Sequence, residues 1–553
     1  MSNIKEIMSP WQRMVGLLEL EKKALKHVLY YAIFSGFLAL TLPLGIQAII
    51  NLIQGAQVST SWVVLVILVT VGVCFVGILQ LMQMRIIETI QQRIFTRASF
   101  EFAYRFPKIK MQELRHYYPP ELANRFFDTL TIQKGLAKIL VDVPSAVLQI
   151  VFALILLSFY HPFFIAFGIL LLILIYIVFK YTAQKGMQTS LLESKHKYKV
   201  AHWIQEVARA VVSFKLSGRT SLALNKNDDL VDDYLQARES HFKILVIQFI
   251  QMIGFKVLVT GGLLLIGGLL VLNQEMNIGQ FVAAEIIILL VINSVEKLIL
   301  GLESFYDVLT SLEKMGQVVD KELERQNGTE PNFSKNFDVQ LNEVEYEVPD
   351  REQAILNNIS FNIQQGSRIL IKGESGSGKS TLLRIISGVI EPTRGQIFVN
   401  DSSISNMNLN YYRSHMGLSL ADESPFEGTI RENITFGNKN VTEEQLLWAT
   451  EKVGLSQFIK ESPEGLDTIL YPEGKRTSFT VVKKIVLARA IIGQPKLLIL
   501  EDPLEHFEDN EISGIINFLT DDSNPWALIV VSTNNEWSKH CTQVITLKNG
   551  KII

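Results

Sequence analysis

Apolar runs long enough to cross a lipid bilayer fill most of the chain up to residue 301. A membrane-spanning helix needs about 20 mainly apolar residues. Six stretches meet that requirement: 28–50, 61–84, 139–159, 162–182, 244–272 and 278–301. The pattern therefore predicts an all-α transmembrane domain with six spans.

The connections between these runs alternate between short and long. The short ones contain Gln54–Gln57, His161-Pro162 and residues 273–277, whereas 85–138 and 183–243 are long, rich in Lys and Arg, and helical in period. Because basic residues stay in the cytoplasm, we expect both long connections and both termini inside. The long connections are interpreted as cytoplasmic extensions of the spanning helices, with two separate soluble inserts as the alternative.

The pattern changes after a polar stretch that ends at Asn336, where short apolar runs typical of buried strands begin. One run covers 368–371 and precedes a glycine-rich segment, and another covers 497–500 and ends in the acidic pair Glu501-Asp502. We expect an α/β domain here. The predicted divisions are an N-terminal elbow segment 1–26, a transmembrane domain 27–312, a linker 313–336 and the α/β domain 337–553.

The glycine-rich segment reads Gly373-Glu374-Ser375-Gly376-Ser377-Gly378-Lys379-Ser380-Thr381 and fits G-x-x-x-x-G-K-[ST] without a mismatch. It lies between a strand pattern and a helix pattern, as a phosphate-binding loop does, so a glycine-rich loop without function is the weaker alternative. Backbone N–H groups and the helix N-terminus would face the phosphates. Lys379 would reach the β- and γ-phosphates, and the Ser380 hydroxyl and an acid after a buried strand would bind Mg²⁺. The segment predicts a site for a nucleoside triphosphate and Mg²⁺ in a P-loop NTPase domain; the resemblance described below identifies the nucleotide as ATP.

Charge and cysteine content exclude two classes of protein. The 553 residues contain 52 Lys and Arg against 55 Asp and Glu, a net charge of −3, without a concentrated basic patch. We therefore expect no nucleic-acid partner. The two cysteines, Cys74 and Cys541, lie far apart in the sequence. That count excludes a disulfide framework and suits a reducing compartment for the α/β domain.

Six spans with two long extensions, followed by this α/β domain, resemble an ABC exporter half-transporter over essentially the whole chain. Shorter segments match the family's elbow, its two coupling regions, its G-T-I-x-E-N-I segment and the helix after its signature: Ser9–Arg13, Tyr117–Arg125, Glu206–Phe214, Gly428–Ile434 and Ala488–Ala490. The first half most resembles the membrane domains of bacterial type I secretion and bacteriocin exporters. The resemblance implies a multi-pass protein of the bacterial inner membrane.

The same resemblance implies partners and an activity. Family members work as dimers, so we expect a homodimer or a heterodimer with a second half-transporter, and a periplasmic adaptor as a further partner. The implied activity is ATP hydrolysis coupled to export of a substrate, with a peptide or protein favoured. The spans are rich in Leu, Ile, Val and Phe and contain no convergent charged set that would identify the substrate.

Several positions depart from the family pattern around the nucleotide. Judged by their positions relative to the family's motifs, Val348 replaces the aromatic residue that stacks on adenine, and Ala421 replaces the Q-loop glutamine. Phe479 follows the retained Ser478 where the signature has glycine, and Asn534 replaces the switch histidine. Glycine there lets the backbone approach the γ-phosphate held by the other subunit, and Phe479 should obstruct that approach.

The acidic pair is also altered, because Glu501 stands at the Walker B aspartate and Asp502 at the catalytic glutamate. Asp502 is one methylene shorter than glutamate, so a base would fall short by about 1.5 Å, and a misplacement of about 1 Å can cost about 10²-fold in rate. The resemblance assigns Ser478 to nucleotide contact, Ser380 and Glu501 to Mg²⁺, and Asp502, Glu501 and Asn534 to catalysis. We therefore expect ATP to be bound well and hydrolysed slowly.

Two classes of function remain open at this point. The first is an ATP-driven exporter subunit. The second is an ATP-sensing membrane regulator or assembly platform that does not itself transport, and the altered catalytic positions motivate it. An unrelated membrane ATPase with a chance phosphate loop is the third and weakest interpretation.

Overall fold

The computed structural model describes residues 8–55, 60–334, 336–349 and 351–553, without the side chains of 178, 179 and 181–183. Residues 56–59 of the predicted connection between the first two spans, and residues 1–7 of the predicted elbow segment, lie outside these residues. The chain divides into two compact units. One contains Met1–Pro107 and His116–Lys321, and the other contains Lys108–Arg115 and Glu322–Ile553. The division at Lys321 falls within the stretch 313–336 that the sequence assigns to a linker.

The first part of the chain is helical. Its helices are α1 (Pro10–Leu20), α2 (Lys22–Ala39), α3 (Thr41–Gln54), α4 (Thr60–Arg105), α5 (Met111–Leu114), α6 (Pro119–Ala123), α7 (Asp128–Ser158), α8 (Phe163–Arg209), α9 (Val211–Leu216), α10 (Leu222–Leu272) and α11 (Ile278–Val319). Helices α4, α8, α10 and α11 have 46, 47, 51 and 42 residues. At 1.5 Å per residue each is at least about 60 Å long, twice the bilayer core of about 30 Å. The prediction of spanning helices that continue well beyond the membrane is confirmed.

The predicted number of spans is not matched. Among the described residues, five helical segments are long and apolar enough to cross a membrane: Lys22–Gln54, Thr60–Lys108, Pro119–Ser158, Leu222–Leu272 and Ile278–Val319. The predicted span 162–182 coincides with a shorter apolar stretch of α8, Phe163–Ile177. The stretch is described as apolar only as far as Ile177, because the side chains of 178, 179 and 181–183 lie outside the described residues, so the span 162–182 stays a prediction.

Polar contacts fix neighbouring helices of this unit to one another. In α10, Lys256 forms an ion pair with Glu296 of α11 at 2.6 Å. A Cβ added to Gly279 of α11 would lie 2.3 Å from the Oδ1 of Asn51 in α3, so these two helices approach closely because position 279 is glycine. Small residues at helix contacts are common in membrane proteins, and the rare ionisable residues there usually pair with one another.

The second unit is an α/β domain with two main sheets. Its strands are β1 (Val339–Tyr346), β2 (Leu356–Ile363), β3 (Arg368–Gly373), β4 (Arg394–Val399), β5 (Ser402–Ser403), β6 (Met416–Ser419), β7 (Gly428–Thr429), β8 (Ile469–Leu470), β9 (Leu497–Glu501), β10 (Ala527–Val531), β11 (Gln543–Lys548) and β12 (Lys551–Ile552). The larger sheet has the order β12-β11-β3-β10-β9-β6 and is parallel except at β12. The smaller sheet, β2-β1-β4-β5, is antiparallel.

The helices of this unit connect and cover the strands. They are α12 (Lys379–Ile386), α13 (Leu409–Arg413), α14 (Ile430–Thr435), α15 (Glu443–Lys452), α16 (Ser456–Glu461), α17 (Phe479–Ile491), α18 (Asp509–Thr520) and α19 (Trp537–His540). Strands β9 and β10 are buried along their whole length, as expected for parallel strands covered on both faces. The predicted order, a helical membrane domain followed by an α/β domain, is confirmed.

The segment Lys108–Arg115 belongs to the second unit although it lies far from the rest of that unit in sequence. Ile109 pairs with Leu323 in an antiparallel β-bridge. The next residue along, Glu324, accepts two hydrogen bonds from the guanidinium of Arg413 at 2.7 and 3.0 Å. The fold of this unit is therefore not a single continuous stretch of chain.

Strand β3 begins with a buried cation. Arg368 is 2% exposed, and burial lowers the pKa of its guanidinium. It donates hydrogen bonds to the backbone carbonyls of Gly366, Thr520, Asp521 and Trp526 at 2.6 to 3.2 Å. Because a buried charge requires such partners, Arg368 links the start of β3 to the segment between α18 and β10.

Candidate functional site

The glycine-rich loop connects the end of β3 to the start of α12. Gly376 and Gly378 have φ angles of +81° and +102°, a backbone region that side chains with a Cβ rarely adopt. A Cβ on Gly378 would also lie 2.8 Å from the carbonyl oxygen of Ile355. The loop thus needs glycine at 378 both for its turn and for its contact with the segment before β2.

A cavity of about 680 Å³ opens over this loop. Its walls come from the loop and α12, from the ends of β9 and β10, and from the segment between β1 and β2. The lining residues are Arg351, Ile355, Lys372, Gly373, Ser375, Gly376, Gly378, Lys379, Ser380, Thr381, Glu501, Asp502, Val531, Ser532, Thr533 and Asn535. The volume lies within the usual range for sites that bind small molecules.

Lys379 is the first residue of α12, and its ammonium lies over the loop. The Nζ donates to the carbonyl oxygens of Gly373 and Glu374, both at 2.9 Å. No described carboxylate lies within ion-pair distance of this Nζ, although its charge acts on Asp502 across the cavity. A cation beside a helix N-terminus and a ring of loop amides is suited to binding phosphate.

Ser380 and Glu501 lie together at the same end of the cavity. The Ser380 hydroxyl donates to one carboxylate oxygen of Glu501, and the Ala421 N–H donates to the other at 3.2 Å. The described residues contain no group of three or more His, Cys, Asp and Glu that would hold a metal unaided. One hydroxyl and one carboxylate fit Mg²⁺, which is usually held by one or two protein oxygens together with the phosphates of its ligand.

Asp502 lies on the cavity wall directly after β9. Its φ angle of +40° is in the left-handed region, and its N–H donates to the carbonyl of Val531 at 2.9 Å. Burial, and then the negative charge of Glu505, raise the pKa of the Asp502 carboxyl, while the Thr533 N–H bonded to it acts in the opposite direction. A carboxylate with a raised pKa beside bound phosphate is a candidate proton acceptor.

Asn534 does not line the cavity. Its side-chain oxygen instead accepts a hydrogen bond from the N–H of Glu536 at 2.8 Å, which closes a turn after β10. Its neighbours Thr533 and Asn535 face the cavity, and Asn535 accepts from the Nζ of Lys372 at 2.9 Å. In this structure the Asn534 side chain closes the turn, and its catalytic role stays a prediction.

Ser478 and Phe479 also lie away from this cavity. Ser478 is the N-cap of α17, where its hydroxyl accepts from the Val481 N–H at 3.4 Å. Phe479 is 74% exposed, and its ring lies 5.7 Å from that of His506. The structure brings the loop, Glu501 and Asp502 to one cavity within a single chain, but not Ser478.

Sequence reasoning did not identify Arg351, Lys372 and Asn535 as site residues. Lys372 directly precedes the glycine-rich loop, and this position is the sequence signal that could have identified it as a site residue. Arg351 and Asn535 follow β1 and β10, and no local motif marks them. Together with Lys379 the two additional cations, Arg351 and Lys372, give the cavity a basic wall suited to an anionic ligand.

Two family models match this chain, one before the linker and one after it. The family described as the ABC transporter transmembrane region matches residues 28–295, and the ABC transporter family matches 356–505. The alpha-hemolysin translocation ATP-binding protein HlyB of Escherichia coli and the leukotoxin translocation ATP-binding protein LktB of Mannheimia haemolytica are each 27% identical over 317 and 319 residues. These alignments cover 56% and 57% of this chain and 45% of each relative, so the chain spans less than half the length of the curated relatives it matches.

A solved structure of a bacterial Atm1-family ABC exporter with ATP bound matches with a TM-score of 0.84. The match covers 97% of this chain and 95% of that one at 16% identity, and it establishes similarity of fold. Both family matches, the order of the two regions and the glycine-rich loop after β3 support one assignment. The chain belongs to the ABC transporters, as a half-transporter that fuses a transmembrane region to a nucleotide-binding region.

Proposed function

We propose that this protein is the ATP-binding subunit of an exporter that moves a peptide or protein out of the bacterial cytoplasm. The observation that carries the proposal is the cluster of Lys379, Ser380 and Glu501 around one cavity, in a chain with long membrane helices. Relatives named for toxin translocation support a peptide or protein substrate. The proposed location is the inner membrane, with both termini in the cytoplasm because the connections 85–138 and 183–243 are basic.

The proposed roles follow from where each group lies. Lys379 and the loop N–H groups bind the β- and γ-phosphates, and Ser380 and Glu501 hold Mg²⁺, which supplies charge neutralisation at the phosphates. Asp502 accepts the proton of the attacking water at its carboxylate. Its side chain is one methylene shorter than glutamate, so we expect the proton acceptor to be poorly placed and hydrolysis to be slow.

We propose a dimer in which Ser478 of each chain faces the nucleotide bound to the other. Ser478 lies at the N-terminus of α17 and outside the cavity of its own chain, as a residue that acts on a partner's ligand would. The exposed Phe479 ring would then stand between that helix terminus and the γ-phosphate. A homodimer carries this obstruction at both sites, whereas a heterodimer with an unaltered half-transporter carries it at one. A periplasmic adaptor is part of the same proposal.

The non-transporting regulator is the less favoured function. Its motivation was the altered residues Ala421, Phe479 and Asp502, which reduce hydrolysis but leave the phosphate loop intact. The chain, however, matches transporter families on both sides of its linker and an exporter fold over nearly its whole length. Altered catalytic groups are also compatible with an exporter in which ATP binding closes the dimer.

The purified protein in nanodiscs is expected to bind MgATP and to hydrolyse it at less than about one turnover per second, the lower end of ordinary enzyme rates. The combined variant Asp502→Glu with Phe479→Gly should raise that rate, because it lengthens the base and opens the approach to α17. The measurement is steady-state phosphate release, with Lys379→Ala as the blank for contaminating ATPases. Several turnovers per second from the unaltered protein, absent in the blank, would contradict slow hydrolysis.

A further inference from the structure

The part of the site that would contact the nucleotide base lacks the aromatic side chain found in the family. Val348, at the aromatic's position, packs against the hydrophobic core of the second unit. Tyr346 is 7% exposed, and its hydroxyl accepts a hydrogen bond from Arg115 at 2.8 Å. Neither residue lines the cavity, and no aromatic ring among the described residues does.

Arg351 occupies the wall of the cavity that comes from the β1–β2 segment. Its N–H donates to the carbonyl of Val348 at 3.1 Å, which ties Arg351 to the position where the family has its aromatic residue. The side chain is exposed and lines the cavity together with Ile355, whose carbonyl lies against Gly378 of the phosphate loop. No described carboxylate forms an ion pair with the Arg351 guanidinium.

We propose that Arg351 binds the nucleotide base by stacking its guanidinium on the face of the ring, in the role that an aromatic side chain at 348 would otherwise have. The inference rests on the proposed nucleotide site. A guanidinium is planar and weakly hydrated and stacks on aromatic faces, whereas an ammonium is a compact, strongly hydrated point charge that can contact a ring face but cannot stack on it. Arg351 is the planar cation of the cavity lining, whereas the other two cations there, Lys372 and Lys379, are ammonium groups.

Base stacking of this kind does not distinguish one purine from another, because every base presents a π-face. We therefore infer a site that accepts ATP and GTP with affinities within about threefold of each other. The specificity for nucleoside triphosphates would come from the phosphate loop, and the base would add affinity through Arg351 without selecting adenine.

The test compares full-length protein in nanodiscs with the variants Arg351→Ala, Arg351→Lys and Arg394→Ala. Arg394 is a matched control, since it is an exposed arginine of the same unit that does not line the cavity. Dissociation constants are measured for MgATP, MgGTP and inorganic tripolyphosphate, which lacks a base. Arg351→Ala should weaken binding of both nucleotides by about tenfold and leave tripolyphosphate unchanged. Arg351→Lys should restore only part of the lost nucleotide affinity, because it keeps the charge and loses the plane.

Three results would overturn the inference. Unchanged ATP affinity in Arg351→Ala would show that the base does not contact this side chain. An equal loss for ATP and tripolyphosphate, restored by Arg351→Lys, would show that Arg351 binds phosphate. If the unaltered protein binds neither ATP nor tripolyphosphate, the proposed nucleotide site itself fails and the inference fails with it, so the two failures are distinguishable.

Discussion

Lys379→Ala is expected to weaken MgATP binding by about 10- to 100-fold. The substitution removes the ammonium that lies over the loop and its hydrogen bonds to the carbonyls of Gly373 and Glu374. A hydrogen bond to a charged group contributes about 1.5–3 kcal/mol, and each 1.4 kcal/mol is tenfold in affinity. Lys372 and the loop N–H groups remain, so binding is reduced without being abolished.

The affinity is measured with a fluorescent ATP analogue and full-length protein in nanodiscs. Lys475→Ala is the control, because Lys475 is 64% exposed and pairs only with the neighbouring Glu473 among the carboxylates described. The thermal midpoint of both variants should equal that of the unaltered protein, which separates lost binding from lost folding. An unchanged affinity in Lys379→Ala would remove the phosphate loop from the nucleotide site.

Arg368→Met is expected to destabilise the second unit by at least about 3 kcal/mol. Methionine fills a similar volume but donates no hydrogen bond, so the backbone carbonyls of Thr520, Asp521 and Trp526 lose their buried partner. Each buried polar group left without a partner costs about 1–3 kcal/mol. For a unit of this size the thermal midpoint should fall by about 6–12 °C.

The fluorescence of Trp526 reports this change locally, because its ring is fully buried and its carbonyl is one of the acceptors. The matched control is Arg394→Met. Arg394 is 71% exposed and forms one long ion pair with Glu345 at 3.6 Å, so its loss should change stability by less than about 1 kcal/mol. Equal midpoint shifts in the two variants would show that burial of the Arg368 guanidinium does not matter.

The fold was predictable from the sequence where the signal is local or periodic. Apolar runs of about 20 residues identified membrane helices, and short apolar runs identified the buried strands β3 and β9. Five of the six predicted spans coincide with helical segments long and apolar enough to cross a membrane. The sixth, 162–182, is described as apolar only over Phe163–Ile177, within the continuous helix Phe163–Arg209.

The site was predictable only in part, because some of its residues lie in local sequence motifs and others do not. The phosphate loop is one continuous segment, and Glu501 is the last residue of the apolar strand β9. Local patterns therefore identified both. Arg351 and Asn535 reach the cavity only because two turns, after β1 and after β10, fold toward the loop. Asn534 was assigned by its position after β10. Its side chain closes a turn there, and its neighbours Thr533 and Asn535 line the cavity.

Because the second unit includes the segment Lys108–Arg115, it cannot fold in the order in which the chain is synthesised. The segment's β-bridge partner, Leu323, is made roughly 200 residues later, which takes about 10–40 s at about 5–20 residues per second. Until then the backbone groups of Ile109 lack this partner. The nucleotide-binding unit therefore completes its fold only after the membrane region has been synthesised, with a segment made roughly 200 residues earlier.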